Sequence, residues 1–249
     1  MVLSPPRIAP PAQRADVYGR DFSAGLNGKY LRVYDLVPSN DRVLELGCST
    51  GYFTEHLLKK GATVVAVDHK ASAIATCRER RIQAFQLDLS SSSDVEAFLA
   101  ERAPFDSVVA MDLLEHLPQP EQLLRCIHKY MHPRGRLIVT GPNVAYWHVR
   151  WKLLRGCWNY AEAGIMDETH LRWFTRVTWR QLLEQNGFQI EIDGVAESLF
   201  PKEHQLGALL RCGDVIRKIR AFGEMLFPNL VATVFLFCCK KSPERPEAS

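Results

Sequence analysis

The chain has no apolar run long enough to cross a bilayer. Its longest, Leu230 to Cys239, is about half the length needed. The opening residues, M-V-L-S-P-P-R-I-A-P-P, lack the continuous apolar core of a secretory signal, which predicts a soluble, cytoplasmic protein. There is no C-x-x-C pair and no histidine spacing of a zinc site. With seven cysteines, an odd number, this argues for a reducing compartment rather than a disulfide framework. Cys48, Cys77 and Cys126 then read as small buried hydrophobes, and the adjacent Cys238 and Cys239 as opposite faces of a strand. Charge of one sign is also lacking. A net +3 from 31 basic and 28 acidic residues is too balanced to mark nucleic-acid binding by composition. What is present is 47% apolar content over 249 residues, enough to bury one good core, so residues 1–249 are expected to form one α/β domain.

The chain is organised around Arg42 to Tyr52, R-V-L-E-L-G-C-S-T-G-Y. A short apolar strand runs into a glycine turn and then an amphipathic helix, which is how an α/β sheet brings backbone close to a nucleotide. A nicotinamide-binding G-x-G-x-x-G would need small residues at 47, 49 and 52, and Tyr52 is too large for that close packing. The stretch resembles the first motif of the class I S-adenosylmethionine-dependent methyltransferases, [DE]-x-G-x-G-x-G, through Glu45, Gly47, Ser49 and Gly51. Ser49 stands where the family has its middle glycine. Serine disfavours positive φ, so Ser49 is expected at negative φ. The departure also keeps open a non-catalytic cofactor-binding regulator or partner subunit.

Later segments stay in step. Residues 1–15 hold a proline-rich irregular arm, and Tyr18, Phe22, Leu26, Tyr30, Val33, Tyr34 and Val37 recur at helical spacing. That helix either packs over the sheet edge or sets Tyr18 or Tyr30 over a cofactor. A β-branched run from Ala62 to Val67 ends at Asp68, about twenty residues after the glycine turn, where a carboxylate reaches ribose hydroxyls. A strand from Ile82 to Leu87 closes on Asp88, which the resemblance assigns to the adenine amino group and which reads equally as a turn residue. Phe105 to Met111 is the central strand, followed by D-L-L-E-H-L. This is similar to the family's D-[VL]-[LI]-E-H-[LVI] segment, which faces the transferred methyl group.

Pro120 to Met131 is expected as a helix stopped by Pro133 to Gly135, and Arg136 to Thr140 as the fifth strand. The [DNS]-P-P-[YF] motif of amino-methylating DNA enzymes is missing after the fourth strand, so no nucleic-acid partner is expected. Arg176 to Asn186 reads as a helix and Phe188 to Val195 as strand six. Leu230 to Lys240 is strand seven, which in this fold inserts antiparallel between strands five and six. The resemblance thus implies a Rossmann-like, seven-stranded, mostly parallel sheet with an antiparallel last strand and helices on both faces.

Two inserts are individual to this chain. Residues 143–175 are similar to a bacterial subfamily found beside glycosyltransferases in surface-polysaccharide pathways, with its P-N-V, G-x-[FW]-x-Y and G-[IL]-[LM]-D-x-T-H-[LI]-R-x-F-T. This implies an acceptor-side wall of aromatic residues that presents Asp167, Thr169, His170 and Arg172, unless Asp167 and Arg172 pair to hold the loop. Residues 197–228 carry an apolar helical stripe, Leu206 to Phe227, with basic flanks. It is either a lid on the core or a surface helix that docks on a membrane.

For the cofactor S-adenosyl-L-methionine, the resemblance implies contacts from Glu45, Gly47, Ser49, Gly51 and Tyr52, from Asp68 and Asp88, and from Met111 and Asp112. The acceptor is expected to be a small molecule, sugar or lipid-linked glycan, methylated at oxygen, with a peripheral membrane contact. His116 and His170 are the candidate bases. Glu115 either orients His116 or joins it on a divalent metal, as in the similar ubiquinone-pathway O-methyltransferases.

Overall fold

A computed structural model describes residues 25–26, 28–198 and 213–242. The expectations for the N-terminal arm, for Tyr18 and Phe22, and for Leu206, Leu209 and Leu210 lie outside the described residues.

In chain order the elements are α1 (Gly28–Leu36), β1 (Arg42–Leu46), α2 (Tyr52–Lys60), β2 (Thr63–Asp68), α3 (Ala71–Glu79), β3 (Ala84–Gln86), α4 (Ser92–Arg102) and β4 (Phe105–Met111). A single tight turn at Leu114–His116 leads to α5 (Pro120–Tyr130) and β5 (Met131–Pro142). The rest is α6 (Trp147–Leu154), α7 (Arg176–Gln185), β6 (Phe188–Ser198), α8 (Gly213–Leu226), α9 (Pro228–Val231) and β7 (Ala232–Lys241).

Seven strands form one sheet in the order β3-β2-β1-β4-β5-β7-β6. The five strands from β3 to β5 are parallel, and β7 runs antiparallel between β5 and β6. Alternate side chains on every inner strand point to opposite faces, so each face builds its own core. On one, Leu44, Val65, Val108 and Leu137 pack with Leu99 of α4, Leu124 of α5 and Trp179 of α7. On the other, Val43, Val64, Val109 and Ile138 pack with Val33 of α1, Phe53 of α2 and Ile74 of α3. Cys239 joins the first core and Cys238 the second, as their adjacency on a strand predicts.

The boundary differences have local causes. Residues 133–135 do not stop α5, which has already ended at Tyr130. They lie in an irregular entry to β5, where pairing with β4 shifts register between Phe105 and Ser107. Gly135 fits there because a Cβ would stand 2.8 Å from Met131 Cγ and 3.0 Å from the Phe105 carbonyl. α7 opens on a reciprocal cap between Thr175 and Thr178. In α8 and beyond, Phe222, Met225, Leu226 and Phe227 are exposed, so this part of the apolar stripe is a surface and does not pack on the core as a lid. Among the described residues no helix is long and apolar enough to cross a membrane.

Candidate active site

Chain order reverses direction between β1 and β4, which opens a crevice beyond their carboxyl ends. The Gly47–Gly51 turn lines one side. Gly47 lies at φ 74° and Gly51 at φ 78°. A Cβ on Gly51 would meet Ile82 Cδ1 at 2.5 Å and Cys77 Sγ at 3.0 Å, so backbone packs where no side chain fits. Gly51 is also the N-cap of α2 and brings no side chain to its first-turn amides.

Ser49 does not take the expected negative φ. It sits at φ 49°, in the left-handed region. Its N–H donates to Asp68 Oδ2 at 2.9 Å, and its carbonyl accepts from Cys77 Sγ at 3.3 Å. Clamped at both ends, serine adopts the conformation that the family's glycine takes freely, at a cost on the order of 1 kcal/mol.

Asp68, nearly buried at the tip of β2, thus organises the turn. Its other oxygen accepts from Lys70 N at 2.9 Å. Glu45, buried in β1, accepts from Thr54 Oγ1 at 2.6 Å, tying β1 to α2. Burial pushes its carboxyl up to about 8, against the opposing bond from Thr54. Tyr52 and Tyr30 meet hydroxyl to hydroxyl at 3.3 Å, which sets α1 beside the start of α2. Asp88, exposed beyond β3, accepts from the hydroxyl and the amide of Ser90 at 2.7 and 2.9 Å. Those two bonds hold its carboxyl below the usual range.

The other side of the crevice begins at Met111 and Asp112. Asp112 also takes a positive φ, 47°, which aspartate tolerates better than most residues. Its N–H donates to the Thr140 carbonyl and its Oδ1 accepts from Thr140 Oγ1, both at 3.0 Å. Its Oδ2 takes the ammonium of Lys29 from α1. Burial opposes the charge on Lys29, but Asp112, Tyr30 and Glu197 outweigh it and raise the lysine pKa. Leu113 reaches across, its Cδ1 3.3 Å from where a Cβ on Gly47 would stand, so the two sides of the crevice touch.

Three groups converge next to this point. Glu115 is 0% exposed, and among the described residues neither of its carboxylate oxygens has a hydrogen-bond partner. A Glu115 oxygen and one ring nitrogen each of His116 and His170 lie within 4.8 Å of one another. The imidazoles stack edge to face with centroids 4.7 Å apart. Burial raises the Glu115 pKa well above the carboxylate range, with Asp112 adding to it. Burial likewise lowers both histidines, so they are held neutral.

The 143–175 insert completes the cluster. It is fastened at its start by Asn143, whose amide donates to the Asn229 and Ala232 carbonyls. It is fastened at its end by the amides of Leu171 and Arg172, which donate to the Glu115 carbonyl at 2.9 and 3.0 Å. The pairing of Asp167 with Arg172 does not form. Arg172 donates to the Pro118 carbonyl, and Asp167 accepts from Thr169. The aromatic wall divides as well. Tyr146 and Phe174 pack inward, while Trp151 and Leu154 on α6, 54% and 81% exposed, project to solvent with Trp158 and Tyr160.

The family profile described as "Methyltransferase domain" matches residues 18–191, which holds the turn, the acids and the histidine cluster. The chain belongs to this methyltransferase-domain family. A ubiquinone biosynthesis O-methyltransferase from Xylella fastidiosa is 36% identical over 107 residues, 42% of this chain and 43% of that protein. One from Xanthomonas axonopodis pv. citri is 34% identical over 110 residues, 43% of this chain and 46% of that protein. The match thus spans less than half the length of these curated relatives. Among solved structures, a SAM-dependent methyltransferase from Archaeoglobus fulgidus superposes with a TM-score of 0.60 at 22% identity, over 85% of this chain and 91% of that one. Magnesium protoporphyrin IX methyltransferase from Synechocystis PCC 6803, with bound SAH, gives 0.55 at 15% identity, over 86% and 80%. At these identities the likeness is one of fold.

Within the methyltransferase domain, the acids at strand tips and the two histidines were legible in sequence. Lys29 was not: one lysine among the aromatics of an amphipathic helix carries no local signal that it will turn inward.

Proposed function

We propose that this methyltransferase-domain protein transfers a methyl group from S-adenosyl-L-methionine to a hydroxyl of a small-molecule, sugar or lipid-linked acceptor. The observation that carries the reading is the placement of the Glu115, His116 and His170 cluster directly beyond Asp112, across the crevice from the Gly47–Gly51 turn. The turn suits the cofactor because Gly47 and Gly51 hold it at positive φ, and at Gly51 the backbone packs so closely on Ile82 and Cys77 that a Cβ would clash. Amides at the start of α2 suit the methionine carboxylate, Asp68 suits the ribose and Asp88 the adenine edge. The remaining lone pairs of Asp68 serve the ribose, since each of its oxygens already takes one amide.

The cofactor supplies an activated methyl on a sulfonium, so the chain's own residues have to align, exclude water and take a proton. Asp112 and Lys29 order one wall. His116, kept neutral by burial, accepts the hydroxyl proton as the acceptor oxygen becomes acidic. His170, carried by the insert, stacks edge to face on His116, and the buried Glu115 lies beside both rings. The O-methyltransferase relatives support oxygen as the nucleophile.

One observation favours a second arrangement at the same place. A buried carboxyl group with no side-chain partner among the described residues, beside two imidazoles, is a donor set suited to a divalent cation. Glu115, His116 and His170 would hold it, and it would lower the pKa of an acceptor hydroxyl.

The exposed Trp151, Leu154, Trp158 and Tyr160, interleaved with Arg150, Lys152 and Arg155 and with no acid between 144 and 160, suit a peripheral contact with an anionic membrane. The test is transfer of labelled methyl to a catechol (3,4-dihydroxybenzoate), a sugar nucleotide and a polyprenyl-linked sugar, with and without Mg²⁺. His170→Ala should lower transfer at least tenfold, about 1.4 kcal/mol in the barrier, while calorimetric affinity for S-adenosylhomocysteine stays within a few-fold. No transfer to any acceptor despite tight S-adenosylhomocysteine binding would favour the regulator reading.

A further inference from the structure

We propose that Asp167 and Thr169 act as positioning residues that set the ring tautomer of His116, leaving Nε2 as its unprotonated nitrogen. The proposal rests on the reading of His116 as the group that serves the acceptor hydroxyl.

The protons available at Thr169 and His116 fix the tautomer. The Thr169 hydroxyl has one to give. It lies 2.7 Å from Asp167 Oδ1, which also accepts the Thr169 amide at 2.8 Å, and Asp167 is buried. An oxygen that already takes one N–H from this residue is an acceptor for its hydroxyl as well, so the Thr169 proton is committed to Asp167. His116 Nδ1 then meets two groups, the Thr169 hydroxyl oxygen at 3.0 Å and the Thr169 carbonyl oxygen at 3.3 Å. A carbonyl only accepts, and the hydroxyl has nothing left to donate. Two lone pairs aimed at Nδ1 require a proton on it. The one acceptor lone pair of the neutral ring therefore sits on Nε2.

His170 is wired in the same sense, with its Nδ1 3.2 Å from the Ile165 carbonyl and its Nε2 4.0 Å from Glu115 Oε1. The loop that carries Asp167, Thr169 and His170 thus orients both imidazoles through Nδ1. The same loop docks on the Glu115 carbonyl through Leu171 and Arg172. Ring tautomers are set by the bond at the other nitrogen, and loss of such a partner costs activity when the ring must present a lone pair.

The experiment uses the full chain with ¹⁵N-labelled histidine, and long-range ¹H–¹⁵N spectra with the His116 signals assigned by their loss in His116→Gln. The expected native signature is Nδ1–H. Thr169→Val removes the 3.0 Å hydroxyl contact but keeps the amide bond to Asp167 and the 3.3 Å carbonyl, so Nε2–H is expected to appear beside Nδ1–H as a mixed spectrum. Thr169→Ser is expected to restore the native spectrum. With 3,4-dihydroxybenzoate as acceptor, kcat should fall in Thr169→Val, with the KM for S-adenosylmethionine unchanged within twofold. If Thr169→Val does not fold, the isosteric Asp167→Asn carries the same test. An Nε2–H signature in the native protein, an unchanged spectrum in the variant, or a serine variant that behaves like valine would overturn the proposal. Spectra that follow the expectation while His116→Gln keeps full methyl transfer would instead sink the reading of His116 as the base and leave the wiring standing.

Discussion

Lys29 and Asp112, 83 residues apart in the chain, form an ion pair at the mouth of the crevice that joins α1 to the end of β4. Lys29 is nearly buried, whereas the Asp112 side chain is 31% exposed. A buried cation that loses its partner costs more than a half-exposed carboxylate that loses its own. Asp112→Asn should therefore destabilise the fold by about 1–3 kcal/mol, discounted for the partial exposure of Asp112, and Lys29→Met by less. Urea midpoints of the two variants compare them directly. Equal losses would mean that the pair is solvent-screened and does not pin α1.

The turn offers a paired test of backbone conformation. Gly51→Ala places a Cβ at 2.5 Å from Ile82 Cδ1 at φ 78°, so the turn must deform. It should lose S-adenosylhomocysteine affinity by more than tenfold. Ser49→Gly should do the opposite to stability, because it relieves the left-handed strain at φ 49°. A gain of about 0.5 kcal/mol is expected, seen as a higher Tm with cofactor affinity retained. A lower Tm would show that the serine side chain contributes more than its backbone costs.

Glu45 makes stability depend on pH. Its ordinary pKa of 4.5 rises to about 8 in the folded protein because burial penalises the charge. Between these values the folded state holds a proton that the unfolded chain has released. Stability is therefore greatest below about pH 4.5 as far as this group is concerned, and falls as pH rises towards 8. The slope is about 1.4 kcal/mol per pH unit at most. Glu45→Gln keeps an acceptor for Thr54 and should flatten this decline between pH 5 and 8. Denaturation midpoints at three pH values decide it, and parallel pH curves for variant and native protein would exclude Glu45 as the source.

The outward face of α6 predicts salt-sensitive binding to anionic vesicles. Trp151→Ser with Leu154→Ser removes the two most exposed large apolar side chains of that helix while leaving the buried Val149 in place. Native protein should co-sediment with phosphatidylserine vesicles at low salt, and the double variant should lose at least tenfold in partitioning. Failure of the native protein to co-sediment would leave the aromatic face without a membrane role.

The strands, their acidic tips and the glycine turn are legible along the chain, because each rests on a local pattern. A β-branched run buried on both faces reads as a parallel strand, and a glycine turn between strand and helix has few other conformations. Chain order also set His116 and His170 beyond the carboxyl edge that β4 and β5 share, since each follows one of those strands. Tertiary structure alone decided how those pieces meet. Ser49 adopts a left-handed backbone because Asp68 and Cys77 clamp it, which no propensity of serine foretells. Glu115, His116 and His170 become one cluster only when the insert docks on the Glu115 carbonyl, and Thr169, rather than Arg172, becomes the partner of Asp167. Contacts between residues tens of positions apart depend on how elements pack, and a one-dimensional period carries no term for that.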